Sequence, residues 1–248
     1  IELSEEETST LVARCRKEHL TVTSALTAAF SGAGSFVQGE KPYHAKTAIA
    51  ASLRDRLPNP PGEAMGYYAL GVEVKLKYDH GKSFWDNARI YHRKIRPNFT
   101  NKKVFGELLK WLQMDSNIYE AMNFKKLGKL PPSDSPRYEK LSAFSAKKDL
   151  VLRLLQRDNI DSLETKHWGT AVTNLGRLDF PAKYGALELD RLIMQPGGAF
   201  PLVHVDMVIG VVTCAGKLSL VVEYAEEAVD SATMKQIKSK AVDVLLNA

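Results

Sequence analysis

Thr170-Ala-Val-Thr-Asn-Leu-Gly-Arg-Leu-Asp-Phe-Pro-Ala-Lys-Tyr-Gly185 is the stretch on which the reading of this chain turns. Ala171, Val172 and Leu175 suit the buried positions of a strand, whereas Thr173 and Asn174 place a hydroxyl and a carboxamide where such a strand carries Val or Ile. Burying those groups costs free energy unless each finds a partner. Two arrangements meet that requirement: bonds made within the fold, or a strand that ends at a binding cleft. Gly176 lets the backbone turn away, and Pro181 and Gly185 bound the loop that follows.

With 248 residues, 44% hydrophobic and 25% charged, the chain has the composition of a globular protein of one or two lobes. Its formal charge of +5 permits an anionic partner and is compatible with a cradle for nucleotide phosphates, but Lys and Arg are scattered. The densest cluster, Arg89 to Arg96 with Lys102 and Lys103, reads as a solvated helix face. No nucleic-acid-reading motif accompanies it, so no nucleic-acid partner is expected. Cys15 and Cys214 lie far apart and outside metal-ligand spacing, and are expected as buried free thiols. The histidines fall in no ligand-like arrangement, so no metal is expected. No apolar run reaches bilayer length and no secretion signal opens the chain, so a cytoplasmic protein without membrane contact is expected. Its first residue is Ile1 rather than Met, and the chain is expected to be part of something longer.

Ser4 and Glu7 have capping-box spacing and open a helix over 5–16; a second helix over 21–31 is expected to end at Gly32 and Gly34. Strands are expected at Thr47–Arg54 and Tyr67–Tyr78, the second alternating apolar Val72, Val74 and Leu76 with Glu73, Lys75 and Lys77, the pattern of an edge or lightly covered strand. Helices follow at 84–96 and from Val104 to Trp111. A mobile connection is expected at about 125–145, where Lys, Pro, Ser and Gly accumulate, followed by a short helix at Asp149–Gln156. After the Thr170–Leu175 strand, Leu202–Thr213 and Lys217–Tyr224 form an antiparallel hairpin, and a helix at 230–246 closes the chain. The predicted fold class is α/β, a mixed and largely antiparallel sheet with helices mainly on one face. It forms a single lobe spanning 1–248.

Neither an α/β-hydrolase elbow nor a P-loop occurs. His204 and Asp206 share a strand face and His167 stands beside Trp168; both are weighed as surface pairs rather than catalytic bases. Arg54, inside an apolar run, reads as a structural ion pair.

Thr173-Asn174-Leu175-Gly176, the acidic-aromatic-Pro segment after it and Tyr184-Gly185 resemble the C-terminal half of the condensation-domain and alcohol O-acetyltransferase superfamily, CoA-dependent acyltransferases of chloramphenicol acetyltransferase-like fold. Glu6-Glu7-Thr8, Cys15-Arg16, Thr21-Val22, Ser52-Leu53-Arg54, Met65-Gly66, Phe84-Trp85, Val212-Thr213 and Lys217 to Leu220 follow in the family's order, so the resemblance covers nearly the whole chain. It implies that acyl-CoA, acetyl-CoA for an acetyltransferase, is the co-substrate and a small alcohol or amine the acceptor, entering a tunnel between two lobes from opposite ends. The His-His-x-x-x-Asp-Gly motif, whose second His deprotonates the acceptor, has no match here. It belongs to a missing N-terminal lobe, so no catalytic residue is assigned within this chain, which is expected to be inactive alone. Thr173 and Asn174 are the candidates for transition-state or tunnel contacts. Arg177, Asp179 and Tyr184 are candidates for a channel wall, though the plant relatives' Asp-Phe-Gly-Trp-Gly motif is not matched. Arg54, Gly66 and Gly176 are assigned structural roles. A dimer through the exposed lobe interface is a further expectation, and a non-catalytic binding or assembly module of the same fold is the alternative function.

Overall fold

A computed structural model of the chain describes residues 1–39, 46–112, 168–197, 205–226 and 229–248. The connection expected at 125–145, the helix at 149–156, His167 and His204 lie outside the described residues. Helix α1 (Glu5–Lys17) opens with the capping box: the Glu7 N–H donates to Ser4 Oγ at 3.2 Å and the Ser4 N–H to the Glu7 carboxylate at 2.8 Å. Helix α2 (Val22–Val37) is capped by Thr21 and runs straight through Gly32 and Gly34, where its end was expected. The reason is packing. A Cβ added at Gly32 would lie 2.6 Å from Cε2 of Tyr78, so this glycine admits a neighbouring ring instead of ending a helix.

The main sheet has the order β2-β1-β3-β6-β7, with β1 Lys46–Ser52, β2 Ala69–Lys75, β3 Trp168–Leu178, β6 Val205–Cys214 and β7 Lys217–Glu223; β4 (Lys183–Tyr184) and β5 (Leu187–Glu188) form a separate small hairpin. It is mixed, as expected, but not largely antiparallel: β1–β2 and β6–β7 are antiparallel, whereas β3 is parallel to both β1 and β6. The antiparallel character is confined to the outer pairs, where turns or short connections suffice, while each parallel pair requires a crossover. The β6–β7 hairpin turns on Ala215 and Gly216, both at positive φ (49° and 77°) as a two-residue turn of this hand requires. β2 is an edge strand, with Val72 and Val74 buried and Glu73 and Lys75 exposed, as the alternation indicated. β1 stops at Ser52, so Arg54 stands in a 3-10 turn (Arg54–Arg56) rather than inside a strand.

One face of the sheet carries the core. Ile49, Val72, Val172, Ile209 and Leu220 share a cluster with Leu11, Phe30, Tyr91, Val104 and Ile237, drawn from α1, α2, α3 (Phe84–Ile95), α4 (Asn101–Leu112) and the closing helix α5 (Ser231–Asn247). All five α-helices among the described residues therefore lie against the same face. Each fully buried aliphatic side chain there contributes about 1.5–3 kcal/mol. Cys15 and Cys214 are buried free thiols, and burial pushes the Cys15 thiol up to about 12. Among the described residues no single helix is long and apolar enough to cross a membrane, and no group of three or more His, Cys, Asp or Glu is placed to hold a metal.

The β3-to-β6 crossover passes over the opposite face. A Cβ added at Gly210 would lie 2.6 Å from the carbonyl oxygen of Met194 and 2.7 Å from Cδ of Pro196, so the crossover rests directly on the sheet at this glycine. Asp190 and Arg191 fasten it through ion pairs to Lys217 and Glu2, and Gln195 donates to Glu223 at 2.6 Å.

Helix α3 secures the first turn of α2. Thr21 Oγ1 and Ser24 Oγ are 2.9 Å apart, and Ser24 Oγ lies 3.1 Å from His92 Nδ1. Burial, and secondarily the charge of Arg96, lower the His92 pKa below its ordinary value of 6.5.

The unfolded chain therefore binds this proton more readily than the folded one. The stability His92 contributes is present above pH 6.5 and lost as pH falls through its depressed folded value. Urea midpoints of the wild type should fall more steeply below pH 6.5 than those of His92→Gln; identical slopes would contradict the assignment. Gly210→Ala should cost about 1–3 kcal/mol in guanidinium unfolding and open 189–197 to proteolysis, whereas an unperturbed protein would show that the crossover does not rest on the sheet.

Candidate functional site

β1 and β3 pair only from Thr47/Thr170 to Ile49/Val172. Beyond that point β1 continues along β2 as far as Ser52, and β3 continues along β6 as far as Leu178. The β1–β3 ladder thus ends short of the strands' carboxyl ends, and Ala50–Ser52 and Thr173–Leu175, unpaired with each other, flank a region termed the wedge. From β1 the chain turns outward to β2; from β3 it goes the other way, to β6. In open α/β sheets such a reversal, outside the carboxyl ends of parallel strands, is where ligands bind.

Thr173 and Asn174 stand at the edge of this wedge. Consecutive strand residues point to opposite faces, so Asn174 lies on the helix side and Thr173 on the crossover side. Both are partly buried. The Asn174 carboxamide is bonded twice: Nδ2 donates to Thr23 Oγ1 at 3.0 Å, and Oδ1 accepts the Gly176 N–H at 2.7 Å. Among the described residues, one of its N–H groups has no partner. Thr173 makes no side-chain hydrogen bond among the described residues.

After Asn174 the ladder with β6 shifts register, and Gly176 carries a φ of 75°, the left-handed conformation that glycine enters freely. This bulge exposes Leu175, expected as buried, to 52%. Arg177 and Asp179 pair with each other at 3.0 Å but are 78% and 82% exposed, and Tyr184 sits half exposed in β4. Arg177 is in the last residues of β3, Asp179 follows the strand directly and Tyr184 belongs to the small hairpin beyond, so none of them lies between Ala50–Ser52 and Thr173–Leu175.

The loop that leaves β1 is braced by Arg54, which donates to the carbonyl oxygens of Gly62 at 2.6 Å and Ala64 at 3.2 Å and stacks over the Tyr68 ring at 4.6 Å. Among the described residues its hydrogen-bond partners are carbonyls, not the carboxylate expected of an ion pair. A Cβ at Gly66 would meet that ring at 2.7 Å, so Gly66 and Arg54 both pack against Tyr68. Both loops rise at the same end of the sheet and carry apolar groups in the open: Met65 is 98% exposed, Tyr67 89% and Leu187 74%. A separate cavity of about 380 Å³, lined by Arg14, Trp85 and Leu245 among others, contains none of the anticipated site residues.

Thr23 is the residue that sequence reasoning missed. The cluster of hydroxyls at Thr21, Thr23 and Ser24 marks a helix start, but nothing local indicates that one of them meets a strand 151 residues further on.

No protein-family profile and no curated protein sequence matches the chain. Solved structures do. The epimerization domain from the third module of tyrocidine synthetase B superposes with a TM-score of 0.59 at 12% identity, over 99% of this chain and 46% of that one. The condensation domain of the Monacolin K polyketide synthase MokA gives 0.57 at 11% identity, over 99% and 45%. SgcC5 from Streptomyces globisporus gives 0.55 at 14%, over 100% and 46%. The chain spans less than half the length of each. At these identities the likeness speaks for the fold, and the fold of this chain is that of a condensation-domain-like lobe.

Proposed function

We propose that this chain is the C-terminal lobe of a CoA-dependent acyltransferase that moves an acyl group, by the resemblance an acetyl group, from CoA to a small alcohol or amine. The observation that carries the reading is the wedge between β1 and β3, a crevice at a reversal of strand order with polar side chains at its edge. The remaining wall, and the imidazole that takes the acceptor's proton, come from an N-terminal lobe. The large apolar groups exposed at the carboxyl end of the sheet support that second lobe, because surfaces of this kind are usually covered.

Within this site Asn174 has the donor role. Its free N–H binds the carbonyl oxygen more tightly as negative charge develops on it, which lowers the barrier instead of merely tightening substrate binding. Thr173, on the other face of β3, lines the passage. Arg177, Asp179 and Tyr184 form the mouth through which one substrate enters. The internal bonds of Asn174 favour one second reading, a non-catalytic binding or assembly module, in which the carboxamide only braces the bulge.

The 248-residue chain should release no CoA from acetyl-CoA in the presence of alcohols or amines, while the protein carrying the upstream lobe should. In that two-lobed protein Thr173→Val with Asn174→Ala should lower turnover by about 10²–10³, the usual cost of losing an oxyanion donor. Unchanged turnover removes both residues from the site. A native reading frame without a His-His-x-x-x-Asp-Gly motif upstream supports the non-catalytic module.

A further inference from the structure

A carboxamide acts as a preorganised donor only if its plane is fixed, because the terminal torsion of Asn is broad and its two ends are nearly isosteric. At Asn174 the fixing has two parts. The Gly176 N–H selects the orientation, since only Oδ1 can accept it; the flipped amide would set two donors against each other. That bond lies within the bulge of the same strand and moves with it. Thr23 supplies the second part from a different element, as Oγ1 accepts from Nδ2 at 3.0 Å.

Thr23 is itself held firmly. It sits in the first turn of α2, where Thr21 caps the Ser24 N–H at 3.2 Å and Ser24 is tied to His92 of α3. The Thr23 carbonyl accepts the Thr27 hydroxyl at 2.7 Å. Beyond this turn α2 is buried along nearly its whole length in the core, so the hydroxyl is referenced to the rigid body of the lobe.

We propose that Thr23 is a positioning residue: its hydroxyl anchors the Asn174 carboxamide to α2, so that the uncommitted N–H keeps one direction at the edge of the wedge. The consequence for transfer rests on the role given to Asn174 above; the positioning itself does not. Serine retains the accepting oxygen and preserves the anchor, whereas valine keeps the shape and removes it. Thr23 touches no substrate, so its loss acts on the rate of the chemical step and leaves acyl-CoA binding unchanged.

Two measurements test this. In the 248-residue chain, the Asn174 side-chain amide pair is assigned by NMR through its disappearance in Asn174→Asp. Its hydrogen exchange should be faster in Thr23→Val than in wild type or Thr23→Ser by about tenfold, the loss of one hydrogen bond. Thr23→Ala replaces the valine variant if that one is poorly folded, as judged by its melting temperature. In the two-lobed protein with acetyl-CoA, Thr23→Val should lower kcat about tenfold with KM unchanged, Thr23→Ser should restore it, and Thr23→Val should add nothing to Asn174→Ala. Unaltered exchange in the valine variant would overturn the proposal whatever the activity. So would a kcat insensitive to Thr23→Val in an enzyme that Asn174→Ala impairs. If Asn174→Ala leaves turnover intact, the catalytic reading of Asn174 fails, and the exchange result alone decides whether Thr23 holds it.

Discussion

Parallel pairing of β3 with both of its neighbours requires one crossover between β1 and β3 and another between β3 and β6. The connections that leave β1 and β3 head in opposite directions across the sheet. After β1 the chain turns out to β2; after β3 it crosses over Gly210 toward β6. The loops that begin them, 53–68 and 179–182, therefore depart from adjacent strand ends without a shared connection, and β1 and β3 part after Ile49 and Val172. The wedge follows from connectivity rather than from any one side chain. Helix α2 meets β3 on one face at Asn174, and the crossover rests on the other face at Gly210.

A wedge in a sheet leaves backbone and side-chain polar groups without ladder partners, and that deficit must be met. This protein meets part of it with Asn174, whose carboxamide bonds to the bulge on one side and to α2 on the other. The same contact that satisfies a polar group inside the fold also sets the direction of a donor at the crevice. Structural satisfaction and preorganisation are two results of one arrangement, and the internal bonds of Asn174 are compatible with a chemical role as well as with a bracing one, since an unheld amide would be a poor donor.

Much of the architecture was legible beforehand. The capping box at Ser4–Glu7, the alternation through Val72 to Lys75 and the turn at Ala215-Gly216 are local signals, and each produced the element it indicated. What escaped was governed by distant contacts. Gly32 and Gly34 look like helix punctuation until Tyr78 is seen against Gly32. Arg54 looks like a buried ion pair until the strand ends before it and loop carbonyls receive it. Strand direction at the centre was not legible, because buried parallel and antiparallel strands carry the same apolar residues and only the connections distinguish them. At the candidate site, Thr173-Asn174-Leu175-Gly176 marked the right strand, but period two separates the pair onto opposite faces, and Thr23 could not be found from sequence spacing.

The central claim is that the gap between the carboxyl ends of β1 and β3 is a reaction chamber completed by a second lobe. A crystal structure of the two-lobed protein with bound acetyl-CoA tests it most directly. The account predicts the thioester carbonyl beside the wedge, with its oxygen at roughly 3 Å from the Asn174 amide and an imidazole of the other lobe facing it. A thioester bound elsewhere, or a wedge filled by the protein's own chain, would contradict it.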